Sequence, residues 1–388
     1  MKDIAVILGI RPDVIRASKI LKLLKESSEI DYDFIWSGQH YSENMKDVFF
    51  NQLEAPKPDY EFVIDTKNDS TIVSSIIKET YAHLESNQYK AVLFLGDTNT
   101  VAGSLAVAQH NVPIVHIEGC MRSYDWRMPE EKYRKTIDHL SDRIYAYLNS
   151  YKKQGLKEGI ADSIIKVTGN PIVDIIKEYE HLFDEGPEYL SENVKSFINS
   201  EEFVLVTSHR RENIFDKDSF ENIINLINST NFKVVFPMGY STQRVLKDSN
   251  LNLNDNVLVI DPVGYLEFMY LLKNSKYCIS DSGTVVEEAC ILGIPSIQMR
   301  YSTERPEVYE VNSSIKFDPT NKKHDFNIVH ESAENLIGKT WSHPFGNGDS
   351  SDIIVNDLIN LSKQNSFSKH GKEAVSYTHL RAHETELD

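Results

Sequence analysis

The chain has 388 residues, 41 of them Lys or Arg and 58 Asp or Glu, for a net charge of −17. That balance argues against non-specific binding to nucleic acid, although an acidic chain still binds an anion where its arginines are concentrated. The length and a hydrophobic content of 40% suggest two domains, each able to bury its own core. Residues 1–9 form too short an apolar run for a signal peptide, and no stretch approaches the roughly 20 apolar residues that cross a bilayer, so no membrane partner is expected. Three cysteines, Cys120, Cys278 and Cys290, lack metal-type spacing. They point to a reducing, cytoplasmic compartment and to no bound metal.

In chain order, short apolar runs alternate with amphipathic segments. Strands are expected at 4–9, 32–38, 91–97, 113–118 and 143–147, with helices over 13–26 and 100–110 among them. The second half repeats the theme, with strands at 203–208, 233–238, 257–261, 277–281 and 296–300. Fully apolar runs separated by helices predict parallel sheets covered on both faces. The expected fold class is α/β: two Rossmann-like doubly wound domains, 1–172 and 173–363, facing a cleft. The turn residues of VTGNPI mark the junction. From Gln364 onward the apolar periodicity disappears, and 364–388 is read as a disordered or non-native tail. His379 and His383 within it are spaced like a metal pair but have no third ligand nearby.

In doubly wound folds the carboxyl ends of the strands carry the ligand. GIRPDVIR (9–16) follows the first strand. Gly9 permits a tight turn, Pro12 suits the first helical position, and Asp13 complements the positive helix end. Arg11 and Arg16 are then either solvated or set beside an anion at that helix start. Neither a G-x-G-x-x-G fingerprint nor a P-loop is present. In LGDTNT (95–100), Asp97 either faces the cleft or caps the next helix. Glu118 occupies the same place on the neighbouring strand, and one cap rarely explains two aligned acids. Glu130, after Pro129, opens another helix, with Arg122, Arg127 and Arg134 nearby to balance the charge.

The second half supplies anion donors. SHRREN places His209 beside Arg210 and Arg211 at a strand end, a cluster suited to phosphate. ISDSGTVVEEA reads strand, turn, helix, so that Ser282, Gly283 and Thr284 direct donors at an anion. Glu288 is one turn further on, placed to bond a ribose diol, and ERPE adds Arg305. Acids on one domain and anion donors on the other describe a nucleotide-sugar site that needs no cofactor.

These motifs, in this order, resemble the non-hydrolysing UDP-N-acetylglucosamine 2-epimerases. GIRPDVIR, SGQH, LGDTNT, HIEG, PEEKYR, DHLSD, VTGNP, SHRREN, SDSGTVVEEA and STERPE carry the resemblance over residues 4 to about 310. It implies a glycosyltransferase B-like architecture, a homodimer, a UDP-sugar substrate and no NAD. It also implies inversion at C2 by elimination and re-addition of UDP, for cell-surface polysaccharide precursors. Carried over by motif, Asp97, Glu118 and Glu130 are the acid/base candidates, their individual roles open, and His209 stabilises the departing UDP. Arg11, Arg16, Arg134, Ser282, Gly283 and Arg305 contact the substrate, chiefly its diphosphate, with Glu288 on the ribose and Phe268 on uracil. Gln39 and His40 match residues at an allosteric UDP-GlcNAc site in some bacterial members, but the rest of that site is not traceable.

Three departures bear on the sugar: GIRPDVIR for the usual GTRPEAIK, SGT for SGG, and a segment between Glu118 and Glu130 about two residues short. They lean toward a subgroup forming UDP-N-acetyl-L-fucosamine from the L-talo sugar nucleotide. A retaining glycosyltransferase and a non-catalytic UDP-sugar sensor are the further alternatives.

Overall fold

The structure, a computed structural model, describes residues 1–38, 50–184, 190–199 and 201–369. Gln39 and His40, and the His379–His383 pair, lie outside the described residues. The first sheet contains β1 (Lys2–Leu8), β2 (Tyr32–Trp36), β3 (Tyr60–Glu61), β4 (Tyr89–Leu95), β5 (Ile114–Ile117), β6 (Arg143–Ala146) and β7 (Ile165–Val167). Its order is β3-β2-β1-β4-β5-β6-β7, every neighbouring pair parallel. The second contains β8 (Phe203–Thr207), β9 (Lys233–Pro237), β10 (Val257–Ile260), β11 (Cys278–Ser280), β12 (Ser296–Met299) and β13 (Ser314–Phe317). These run β10-β9-β8-β11-β12-β13, again all parallel.

Helices on both faces explain why the strands are apolar without alternation. Ile4 to Leu8 of β1 and Ala91 to Leu95 of β4 are all buried. Each fully buried Phe, such as Phe34, Phe94, Phe236 or Phe317, contributes about 1.5–3 kcal/mol through removal from water. Strands β3, β7 and β13 escaped the sequence pattern. They are two to four residues long, and Lys166 and Lys316 interrupt their apolar character.

In each sheet the chain starts centrally and works outward in both directions, leaving a crevice beyond the strand ends at β1/β4 and at β8/β11. The first helix, Arg11–Glu26, starts two residues earlier than its periodicity suggests, because Pro12 fixes its first turn. There the Asp13 carboxylate accepts the Gly9 and Ile10 N–H groups at 3.3 and 3.2 Å.

The strands of the two sheets fall on either side of residue 172. Helix Ser350–Lys363, assigned to the second domain from sequence, packs instead on helices Arg11–Glu26 and Pro171–Phe183. Its buried face, with Ile354, Val355, Leu358 and Ile359, finds its apolar partners there. Residues 364–369, read as the start of an unpacked tail, also dock. Phe367 is 2% exposed, and the Lys369 N–H donates to Asp142 at 2.8 Å.

Candidate active site

Strand β5 ends at Ile117, and Glu118 follows with φ +76°. That left-handed conformation costs a non-glycine residue about 1–2 kcal/mol. It is held because the N–H groups of Glu118 and Gly119 both donate to the Tyr145 carbonyl, at 3.1 and 3.2 Å. The turn aims the buried Glu118 carboxylate into the crevice, where it pairs with Arg16 and, at 2.8 Å, with Arg305 Nη2.

On the adjacent strand, Asp97 follows Gly96, whose φ is +80°. Asp97 is not a helix cap: the next turn, Asn99–Ala102, has Thr98 at its N-cap and no side-chain cap bond. Asp97 Oδ2 instead meets Arg134 Nη2 at 2.5 Å. Burial raises its pKa, but Arg134, Arg210 and Arg305 outweigh that and hold the carboxyl below its ordinary value.

Glu130 and Glu131 open helix Pro129–Leu140 and divide the work. Glu131 is buried and accepts from Ser123 N, Ser123 Oγ and Tyr124 N at 2.8, 2.9 and 3.1 Å, closing the loop after Glu118. It also binds Arg134 at 2.9 Å. Glu130 makes no ion pair among the described residues, and burial together with the Asp97 charge raises its pKa. The three acid/base candidates therefore come together at one end of the first sheet.

Across the cleft, Asp281 after β11 shapes the loop after β8. It accepts from Ser208 Oγ at 3.0 Å, from the backbone of His209 and Arg210 at 2.9 and 3.0 Å, and from Asn213 Nδ2 at 3.2 Å. The His209 ring, 58% exposed, lies with Nδ1 3.3 Å from the same carboxylate. Ser282 caps helix Gly283–Leu292. A Cβ on Gly283 would lie 2.6 Å from Arg305 Nη1 and 2.8 Å from its Cζ, so only glycine lets that guanidinium lie against the helix start. Between this helix and the first domain is a cavity of 340 Å³, lined by Arg11, Pro12, His209, Phe268, Ser282 and Glu288 among others. Burial, with the Glu287 charge adding, pushes the Glu288 carboxyl up to about 8 against the pull of Tyr265.

ERPE joins the two walls. Arg305 binds Glu118, Glu304 and, through Nε at 2.9 Å, Glu287. Glu304 receives Arg300, Arg134 and Arg210 at 3.2, 3.5 and 3.6 Å. These cations hold its carboxyl well below the usual range although burial works the other way. Glu307 accepts from Tyr151 Oη and Ser150 Oγ of the first domain at 2.8 and 3.1 Å. Charges this deeply buried are tolerable only while each keeps its partners.

Several members of this network were not singled out from sequence. Glu304 and Glu287 stand beside the named Arg305 and Glu288, Asp281 opens the SGT turn, and Arg300 directly follows β12. For Glu287, Asp281 and Arg300 the one sequence signal is a charge directly adjoining an apolar run. Arg16 and Arg134, expected at the substrate, pair here with Glu118 and Asp97.

Candidate acid/base carboxylates at the tips of one parallel sheet, opposite a helix start that lines a pocket on another, mark an enzyme of the nucleotide-sugar class with a glycosyltransferase B-like fold. More narrowly, the chain belongs to the UDP-N-acetylglucosamine 2-epimerase family, whose model matches residues 22–359. The UDP-N-acetylglucosamine 2-epimerase of Methanocaldococcus jannaschii is 36% identical over 370 residues, 92% of this chain and 98% of that protein. A crystal structure of that archaeal UDP-GlcNAc 2-epimerase, in complex with UDP-GlcNAc and UDP, matches with a TM-score of 0.83 and 35% identity, covering 92% of this chain and 99% of that one. A UDP-2,3-diacetamido-2,3-dideoxy-D-glucuronate 2-epimerase of Pseudomonas aeruginosa is 31% identical over 92% of this chain and 99% of its own length.

Proposed function

We propose that the protein interconverts UDP-GlcNAc and UDP-ManNAc without hydrolysis, as an isomerase. The observation that carries this reading is the convergence of Asp97, Glu118 and Glu130 opposite the pocket of Arg11, His209, Ser282 and Glu288. A carboxylate takes the C2 proton, the C1–O bond breaks, and UDP leaves with the bonding pair, giving 2-acetamidoglucal. Return of UDP to C1 and of a proton to the other face of C2 gives the epimer. The diphosphate lies against Arg11, His209 and the donors at Ser282 and Gly283, where its growing charge is stabilised. Glu288 takes the ribose and Phe268 the uracil. Arg305 and Arg16 reach the same region from the Glu118 carboxylate.

The relatives at 36% identity do not favour the L-fucosamine-forming, glycosyltransferase or sensor alternatives. We place the enzyme in the cytoplasm, as a homodimer with its first domain ending near residue 172. The three cysteines are free and buried, as suits a reducing compartment. No described helix is long and apolar enough to cross a membrane. Leu105 and Tyr81 expose apolar surface on helices of the first domain, where a second copy can cover it. Incubating UDP-GlcNAc with enzyme in D2O should place deuterium at C2 of both epimers. A panel of UDP-HexNAc sugars with no exchange at all would sink the reading.

A further inference from the structure

His116 lies on β5, two residues before Glu118, and is fully buried. Its Nδ1 is 2.8 Å from Asp138 Oδ1, and its Nε2 is 2.9 Å from the Gly96 carbonyl. Both partners are acceptors. A neutral imidazole carries one N–H and one lone pair, and would turn that lone pair on one of these oxygens. An imidazolium offers an N–H to each. Asp138 Oδ2 completes the arrangement, accepting the Cys120 N–H at 2.9 Å and Arg122 Nη1 at 2.7 Å. Arg122 is in turn held by Glu158, with Nη2 at 2.6 Å. Burial opposes the Asp138 charge, but His116 and Arg122 outweigh it and keep the carboxyl below its usual value.

The segments tied together are those that carry the acids. Gly96 immediately precedes Asp97. Cys120, at φ +67°, belongs to the turn that presents Glu118. Asp138 sits on the helix that begins with Glu130. A Cβ on Gly119 would come within 3.0 Å of Asp138 Oδ1 and 3.4 Å of His116 Nδ1, so the turn is closed tightly around the pair.

We infer that His116, engaged through both ring nitrogens, and Asp138 form a positioning pair that holds the carriers of Asp97, Glu118 and Glu130 in one frame. This rests on the epimerase reading for its consequence, not for its geometry. Full-length His116→Asn keeps a single donor arm. It should lower kcat and C2 deuterium exchange roughly 10- to 100-fold while KM and UDP affinity stay within about threefold, as for partners that orient other reactive groups. Should that variant fail to fold, Asp138→Asn, which keeps the acceptor's shape and removes its charge, carries the same expectation. Unchanged turnover in a folded variant, or parallel loss of UDP binding and turnover, would each overturn the inference. Wild-type enzyme that exchanges no C2 proton would sink the epimerase reading instead.

Discussion

At the strand tips of the first domain, Glu118 and Asp97 are already paired with arginines, and their backbone is bent into left-handed turns to present them. At the matching tips of the second domain, the side facing the cleft is made of a helix start, two small residues, Phe268 and a carboxyl pushed up to about 8. One wall concentrates carboxylates and stores strain. The other sets backbone donors and low-polarity surface beside His209 and Arg305. Positions where protons move need tuned carboxylates, whereas a diphosphate is held well by oriented N–H groups. Substitutions on the first wall should therefore act on turnover, and those on the second on binding.

The sharpest way to break that contrast is Glu118→Gln. It should lower kcat by roughly 10²–10⁴-fold while calorimetric UDP affinity changes little. A parallel loss of UDP affinity would make the first wall a binding surface too. Arg305→Ala comes next, since Arg305 touches both walls. Removing it takes from Glu287 its ion-pair partner among the described residues and from Glu118 and Glu304 one cation each, for a loss of about 3–5 kcal/mol in urea unfolding and weaker UDP binding.

Gly283→Ala acts on the second wall first. Its Cβ displaces the Arg305 guanidinium, a clash costing about 1–3 kcal/mol, and UDP affinity should drop more than kcat. The effect of Glu288 is spread over several pH units. Its folded pKa of about 8 lies above the ordinary 4.5, so across that interval the folded protein holds a proton that the unfolded chain has released. Stability therefore falls as pH rises through this window, by at most ~1.4 kcal/mol per pH unit. Melting curves of Glu288→Gln should show a flatter pH dependence.

How legible all this was varies by element. The long strands, the helix starts at Pro12, Pro129 and Gly283, and the acids Asp97, Glu118 and Glu130 could be read directly, because each couples an apolar run to a turn or a charge. The short edge strands β3, β7 and β13 could not, since a few residues leave no period to detect. Glu304 and Glu287 were passed over beside more conspicuous neighbours. The partners Arg134 and Arg210 of Glu304, and Arg305 of Glu287, are distant in sequence, and no spacing rule links them.

By itself the sequence determined two parallel-sheet domains, the strand ends that bear chemistry and the residue types available there. These follow from local hydrophobic period and turn chemistry, which act over a few residues. Only the tertiary structure decided that Glu131 closes a loop while its neighbour Glu130 makes no ion pair among the described residues, that Arg16 and Arg134 pair with Glu118 and Asp97, and that helix Ser350–Lys363 returns to the first domain. Those outcomes depend on which buried charges and apolar faces meet across tens to hundreds of residues, where pairing and desolvation choose among partners that the linear order leaves equivalent.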